Sequence, residues 1–196
     1  MKIFLDANII ADWILIKNKA QEVTDETEDN VLTERYRYMG YSYKLIEKIR
    51  SLGLKAYTSQ LSIAEVFSVI YDDVINLKLF MKAIPTAAWN WLSIREKELL
   101  DDEEAYEIYE GILERFDELF LNVEIVDEVL DLELLSHLIL KLGLRTHDAL
   151  LLTTAILNGM DYFVTRDERL IRKTRKLKKM PKIVILRPQS LLSKIG

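Results

Sequence analysis

The sequence predicts an α/β fold with a mostly parallel central sheet. Two observations lead there. Short, β-prone apolar runs alternate along the whole chain with longer segments whose apolar residues recur at three and four, and capping or stopping residues fall between them. Strands separated by whole helices pair in parallel, because parallel neighbours need a long crossover. No repeat of fixed period is present.

The elements follow in order. Residues 2–5 predict a strand that ends at Asp6, and Asn8 is placed to cap a helix carried by Ile9, Ile10, Trp13, Ile14 and Ile16. Residues 20–30 hold Glu22, Asp25, Glu26, Glu28 and Asp29 with little to bury, which predicts a solvated loop. A helix over 31–51 puts Tyr38, Tyr41, Leu45, Ile46 and Ile49 on its buried side, and Gly53 stops it. Residues 55–58 predict a second strand. Ser59 caps a helix through Ile63, Val66, Phe67 and Ile70 towards Phe80, and Pro85 ends that pattern. From 102 to 120, Tyr106, Tyr109, Ile112, Leu113, Phe116, Leu119 and Phe120 mark an amphipathic helix with an acidic outer face. Then come a strand over 123–126, a helix over 128–142 closed by Gly143, and a helix over 147–157 capped by Thr146 and stopped by Gly159. A strand over 162–165, a helix over 168–177 and a last strand over 182–186 before Pro188 complete the series.

With 196 residues, three Pro, six Gly, 49% hydrophobic and 30% charged residues, the chain suits one compact domain and excludes collagenous or wholly disordered classes. No uncharged stretch is longer than 149–160, which falls short of the ~18 apolar residues of a membrane span, so a soluble protein is expected. Asp6 arrives too early for a secretory signal. The absence of cysteine excludes disulfides, a thiolate nucleophile and a sulfur-rich zinc site, and fits a reducing cytoplasm. A net charge of −5, from 27 basic and 32 acidic residues, argues against a nucleic-acid coating protein. It allows an enzyme that meets phosphates through metal ions, and such ions need carboxylates.

Parallel sheets bind ligands at the carboxyl ends of their strands, near the point where strand order reverses. Asp6 closes the first strand, Asp167 lies just past the 162–165 strand, Asp148 opens a helix, and Glu65 lies about two turns into the helix after the second strand. These four acids can meet at one edge. Each also has a plain structural role: Asp148 complements a helix dipole, Asp167 caps the next helix, and Glu65 suits a solvated face. Asp6 stands out, since an acid between an apolar strand and an apolar helix is desolvated unless a partner or metal compensates.

Four segments in this order, Phe4-Leu5-Asp6-Ala7-Asn8, Ser59-Gln60-Leu61-Ser62-Ile63-Ala64-Glu65, Arg145-Thr146-His147-Asp148-Ala149-Leu150 and Phe163-Val164-Thr165-Arg166-Asp167, resemble the PIN-domain nucleases. That family includes toxin ribonucleases of toxin–antitoxin pairs. The resemblance covers nearly the whole chain, with 18–40 and 85–122 as insertions. It implies a three-layer α/β/α domain over 1–196, with Asp6, Glu65, Asp148 and Asp167 around one or two Mg²⁺ or Mn²⁺ ions. It implies metal-dependent RNA hydrolysis leaving a 5′-phosphate and a 3′-hydroxyl, with Asp6 and Asp148 as direct ligands, Asp167 a ligand directly or through water, and Glu65 a ligand or water-orienting base. Asn8, Ser62 and Thr165 would hold these groups in place. A homodimer and an antitoxin protein are further implied partners. Many relatives carry an acid where this chain has Arg169, so either the adjacent Glu168 compensates or a second metal binds poorly.

Nine basic residues lie between Arg166 and Lys182, among them Arg169, Arg172, Lys173 and Lys176. They read either as a solvated helix or as an RNA backbone contact beside Asp167. Trp89, Trp91 and the acidic helix read either as extra core or as an association surface. His137 and His147 are too few for a histidine-rich metal site, and a serine triad through His147 has little support because adjacent helical residues do not face each other. Two rivals to the nuclease are a non-catalytic module of the same fold that grips RNA or protein, and a phosphoacceptor or phosphohydrolase α/β domain with Asp6 as nucleophile. In the second, Asn8 occupies the place of the usual paired Asp.

Overall fold

The computed structural model describes residues 1–22, 30–84, 100–175 and 183–195. In chain order these form β1 (Ile3–Leu5), α1 (Ala7–Glu22), α2 (Asn30–Ser51), β2 (Ala56–Ser59), α3 (Gln60–Met81), α4 (Asp102–Leu119), β3 (Val123–Val126), α5 (Leu132–Leu140), α6 (Thr146–Leu157), β4 (Tyr162–Val164), α7 (Glu168–Thr174), β5 (Val184–Leu186) and α8 (Pro188–Ile195). The strands make one five-stranded sheet of order β3-β2-β1-β4-β5, parallel at every pairing.

Successive side chains of a strand point to opposite faces, and the core divides accordingly. Ile3 and Leu5 face a cluster that gathers Ile9, Trp13, Ile46, Val66, Phe116 and Leu191. Phe4 faces a second cluster with Leu138, Leu144, Leu152, Phe163 and Leu170. The sheet therefore lies between two helical layers, α/β/α as expected. Phe4 and Phe163 are register partners on β1 and β4 and stack at 5.2 Å. Such a pair adds about 1 kcal/mol beyond its burial, and it fixes the alignment of the two strands that carry Asp6 and Thr165.

Several expected details are corrected. Asn8 lies inside α1, and the turn into that helix falls at Asp6, whose carbonyl accepts from the Ile9 N–H at 3.0 Å. The helix runs on to Glu22, so the start of the expected acidic loop is helical, while 23–29 lie outside the described residues. On α2 the buried stripe is Met39, Ser42, Leu45, Ile46 and Ile49, which leaves Tyr38 and Tyr41 on its exposed flank. The helix expected over 128–142 starts only at Leu132, where the Asp131 side chain accepts from the Leu134 N–H. Thr146 is the first residue of α6 and Arg145 precedes it as a cap without a side-chain bond. Pro188 opens α8 rather than ending the fold, a position where its missing N–H costs nothing. Pro85, Trp89 and Trp91 lie outside the described residues, as does Lys176.

The glycine stops are as expected: Gly53, Gly143 and Gly159 all have positive φ. Ser59 caps α3, accepting from the Ser62 N–H at 3.2 Å. Among the described residues no helix is long and apolar enough to cross a membrane.

Candidate active site

The chain leaves β1 for one side of the sheet (β2, β3) and later fills the other (β4, β5), so strand order reverses between β1 and β4. A crevice opens at the carboxyl ends of strands at such a point. Asp6 ends β1 there and Thr165 follows β4. The Thr165 hydroxyl donates to Asp6 Oδ2 at 2.6 Å, the Asn8 amide donates to the same oxygen at 2.6 Å, and the Ala7 N–H donates to Oδ1 at 2.8 Å. Asn8 Oδ1 in turn accepts from the Arg166 N–H at 3.0 Å, and Thr165 Oγ1 accepts from the Asp167 N–H at 2.9 Å. One short network thus ties the β1–α1 junction to the β4–α7 junction and holds the Asp6 carboxylate in a single orientation.

Asp6 is only 7% exposed. Burial, assisted by the Asp148 carboxylate, lifts its pKa to about 6 against the opposing bonds from Thr165, Ala7 and Asn8. Glu65 is raised in the same sense, chiefly by burial and then by Asp6, with Asp148 adding and His147 opposing. Asp6, Glu65 and Asp148 therefore lie within one another's field. His147 Nε2 sits 3.1 Å from Asp148 Oδ1 and 3.7 Å from Glu65 Oε1, so the neighbours His147 and Asp148 do meet at the first turn of α6.

Asp167 stands at the same edge but has a second task. Its Oδ1 accepts from the Arg169 and Leu170 N–H groups at 2.7 and 3.0 Å and caps α7. Ser62 is buried, and the partner of its hydroxyl is Ser59 at 3.5 Å rather than a site carboxylate. Glu168 turns away to a two-pronged ion pair with Arg187, so it does not replace the acid absent at Arg169. Among the described residues no three His, Cys, Asp or Glu side chains already stand as a metal-binding group. In kind the donors suit a hard divalent cation: three mutually repelling carboxylates, with oxygen ligands only.

The basic residues divide. Arg166 sends its guanidinium inward to Asp12, at 2.6 Å, which corrects its reading as a free RNA contact. Lys173 reaches the Gly143 carbonyl, as does Arg169 at 3.5 Å, and Lys173 lies in the field of both Arg169 and Asp148. Loss of hydration and the adjacent Arg169 lower the Lys173 pKa, against the pull of Asp148. Arg172 is exposed.

Asp12 is the residue that sequence reasoning missed. Its side chain is fully buried, accepts from the Ser42 hydroxyl at 2.6 Å and pairs with Arg166, tying α1 and α2 to the β4–α7 junction. The signal was the same as for Asp6: a lone acid within an apolar run, Ile9-Ile10-Ala11-Asp12-Trp13-Ile14. Burial pushes its pKa from 3.8 up to about 7 even against Arg166 and Ser42. A carboxyl whose pKa is raised on folding favours the folded state most below its unfolded pKa, and that contribution is lost as pH rises through the folded value. Wild type is therefore expected to lose stability relative to Asp12→Asn between about pH 4 and about pH 7. The change should reach a few kcal/mol, on the order set by 1.4 kcal/mol per pH unit, and urea midpoints across that range measure it.

No protein-family model matches the chain. It is 57% identical over 104 residues to an uncharacterized protein of Archaeoglobus fulgidus, a match covering 53% of this chain and 86% of that one. Among solved structures it is similar to the crystal structure of PAE2754 from Pyrobaculum aerophilum, with TM-score 0.48, 12% identity, and coverage of 100% of this chain and 95% of that chain.

Proposed function

The chain belongs to the family of the uncharacterized Archaeoglobus fulgidus protein, and we propose that it is a PIN-like, divalent-metal-dependent endoribonuclease. One observation supports the reading: Asp6, Glu65 and Asp148 lie within electrostatic reach of one another on the edge where strand order reverses, with Asp148 adding to the burial that raises Asp6, and Asp6 and Asp148 adding to the burial that raises Glu65. Asp6 and Asp148 would hold Mg²⁺ or Mn²⁺, with Glu65 and the free oxygen of Asp167 beside them. When bound, the ion supplies an acidified water and offsets charge growing on the scissile phosphate. Thr165 and Asn8 keep Asp6 oriented by donating to one of its oxygens, so that the other faces a single backbone N–H. His147 Nε2 stands between Glu65 and Asp148, nearer to Asp148. Lys173 and Arg169 bring positive charge to the rim beside Asp148 and would bind the RNA backbone.

The test is cleavage of single-stranded RNA with Mn²⁺ and its loss with EDTA. Salt dependence probes the rim. Neutralising Arg172, Lys173 and Lys176 together should weaken RNA binding and flatten the slope of log K against log salt by about 0.7 for each phosphate no longer neutralised. An unchanged slope removes these residues from the interface. The second reading is a non-catalytic module of the same fold that grips RNA or a protein. RNA binding without turnover at any Mn²⁺ concentration would establish it. Self-association and an antitoxin partner belong to the same proposal, and sedimentation of the purified chain tests the first.

A further inference from the structure

A cavity of about 470 Å³ lies beside the candidate site, lined among the described residues by Tyr38, Arg166, Glu168, Arg187 and Gln189. Its size falls within the range of ligand sites, roughly 300–1,000 Å³. Tyr38 comes from α2, Arg166 and Glu168 from the β4–α7 junction, Arg187 from the β5–α8 junction, and Gln189 from the first turn of α8. The cavity therefore opens on the same carboxyl edge as Asp6, over β4 and β5, about 5 to 10 Å from β1 at ordinary strand spacing. Arg166 joins the two regions: its N–H holds Asn8, and its side chain forms a wall of the cavity.

We propose that this cavity seats one nucleotide of single-stranded RNA next to the scissile one. The proposal rests on the ribonuclease reading and adds to it the means of holding the strand. Three features argue for a nucleotide. Tyr38 is 59% exposed, an aromatic ring presented to solvent at the cavity, and such rings stack bases of any sequence. Gln189 offers both a donor and an acceptor for a base edge. Arg187 supplies a planar guanidinium suited to a phosphate, and its present partner Glu168 is 61% exposed, so the pair is open to solvent and a phosphate can compete for the guanidinium.

The frame around these groups is rigid. Arg166 is anchored by the buried Asp12, and Asp12 accepts from Ser42, which lies on the buried stripe of α2 one turn along from the exposed Tyr38. Glu168 is the discordant group, since its carboxylate competes with phosphate for Arg187 and repels an incoming strand. Its removal should therefore improve binding, a result that general damage to the fold does not produce.

The experiment is fluorescence anisotropy of a short fluorescein-labelled single-stranded oligoribonucleotide with the full chain in EDTA, so that binding is read without cleavage. Tyr38→Ala is expected to weaken binding about tenfold, and Glu168→Gln to tighten it several-fold, both with wild-type thermal midpoints. Wild-type affinity in both variants, with Mn²⁺-dependent cleavage intact in the unaltered chain, overturns the nucleotide subsite and leaves the nuclease standing. Opposite shifts in the two variants without any cleavage support the subsite and overturn the nuclease. Failure of the unaltered chain to bind the oligoribonucleotide at all overturns the subsite directly.

Discussion

Asp6→Asn and Asp148→Asn are each expected to lower Mn²⁺-dependent RNA cleavage by on the order of a thousandfold, the scale on which loss of one fixed electrostatic group acts on a transition state. Asp6→Asn removes a negative charge from the cluster and also disturbs its surroundings. Asp6 accepts on both oxygens, from Ala7 on one side and from Asn8 and Thr165 on the other. An amide in its place must turn its NH₂ towards a donor in either orientation, and an unsatisfied buried group costs about 1–3 kcal/mol. Loss of activity in that variant alone thus has two explanations. Asp148 separates them, because its carboxylate is 15% exposed and its closest described contact is His147 at 3.1 Å. Asp148→Asn should match the loss of activity while the thermal midpoint stays within a few degrees of wild type. Single-turnover cleavage of a labelled RNA measures both variants. Full activity in Asp148→Asn would remove it from the machinery.

Arg166→Ala should be the most destabilising single change near the site, by about 3–5 kcal/mol at pH 8, the cost of leaving a buried charge without its partner. The mechanism sets the pH dependence. Without Arg166 the Asp12 carboxyl holds its proton to a pH above the value of about 7 that it has with Arg166 in place, so the penalty should be largest well above pH 7 and shrink as pH falls towards about 7. Chemical denaturation at pH 8 and pH 5 checks this. A penalty equal at both would mean that Arg166 acts by packing and not by charge. Arg166 also donates its backbone N–H to Asn8, so cleavage should fall in this variant through displacement of the β4–α7 junction.

Legibility in the sequence followed how local each cause was. The glycine stops at 53, 143 and 159 were readable because a positive φ is a requirement on one residue. Strand order was not readable. Only the parallel character followed from the alternation, and the reversal between β1 and β4 appears with the pairings themselves. Asp6 was readable as a desolvated acid at a strand end. Asp12 carries the same signal but sits within a helix, where burial depends on which face meets the core, and its partner Ser42 lies 30 residues on. Asp167 read equally well as a cap or as a site residue, and its geometry serves as a cap while leaving one oxygen unassigned. The cavity was invisible beforehand: Tyr38 was placed on the buried side of α2, and Gln189 belongs to a helix concealed behind Pro188.

The proposed nuclease requires a divalent cation held by Asp6, Glu65 and Asp148. Crystals grown with Mn²⁺ and measured at the manganese absorption edge test it most directly. An anomalous peak is expected at oxygen-ligand distance, about 2 Å, from both the Asp6 and Asp148 carboxylates, and is absent in Asp148→Asn crystals. Manganese bound elsewhere, with Asp6 still bonded only to Ala7, Asn8 and Thr165, would contradict it.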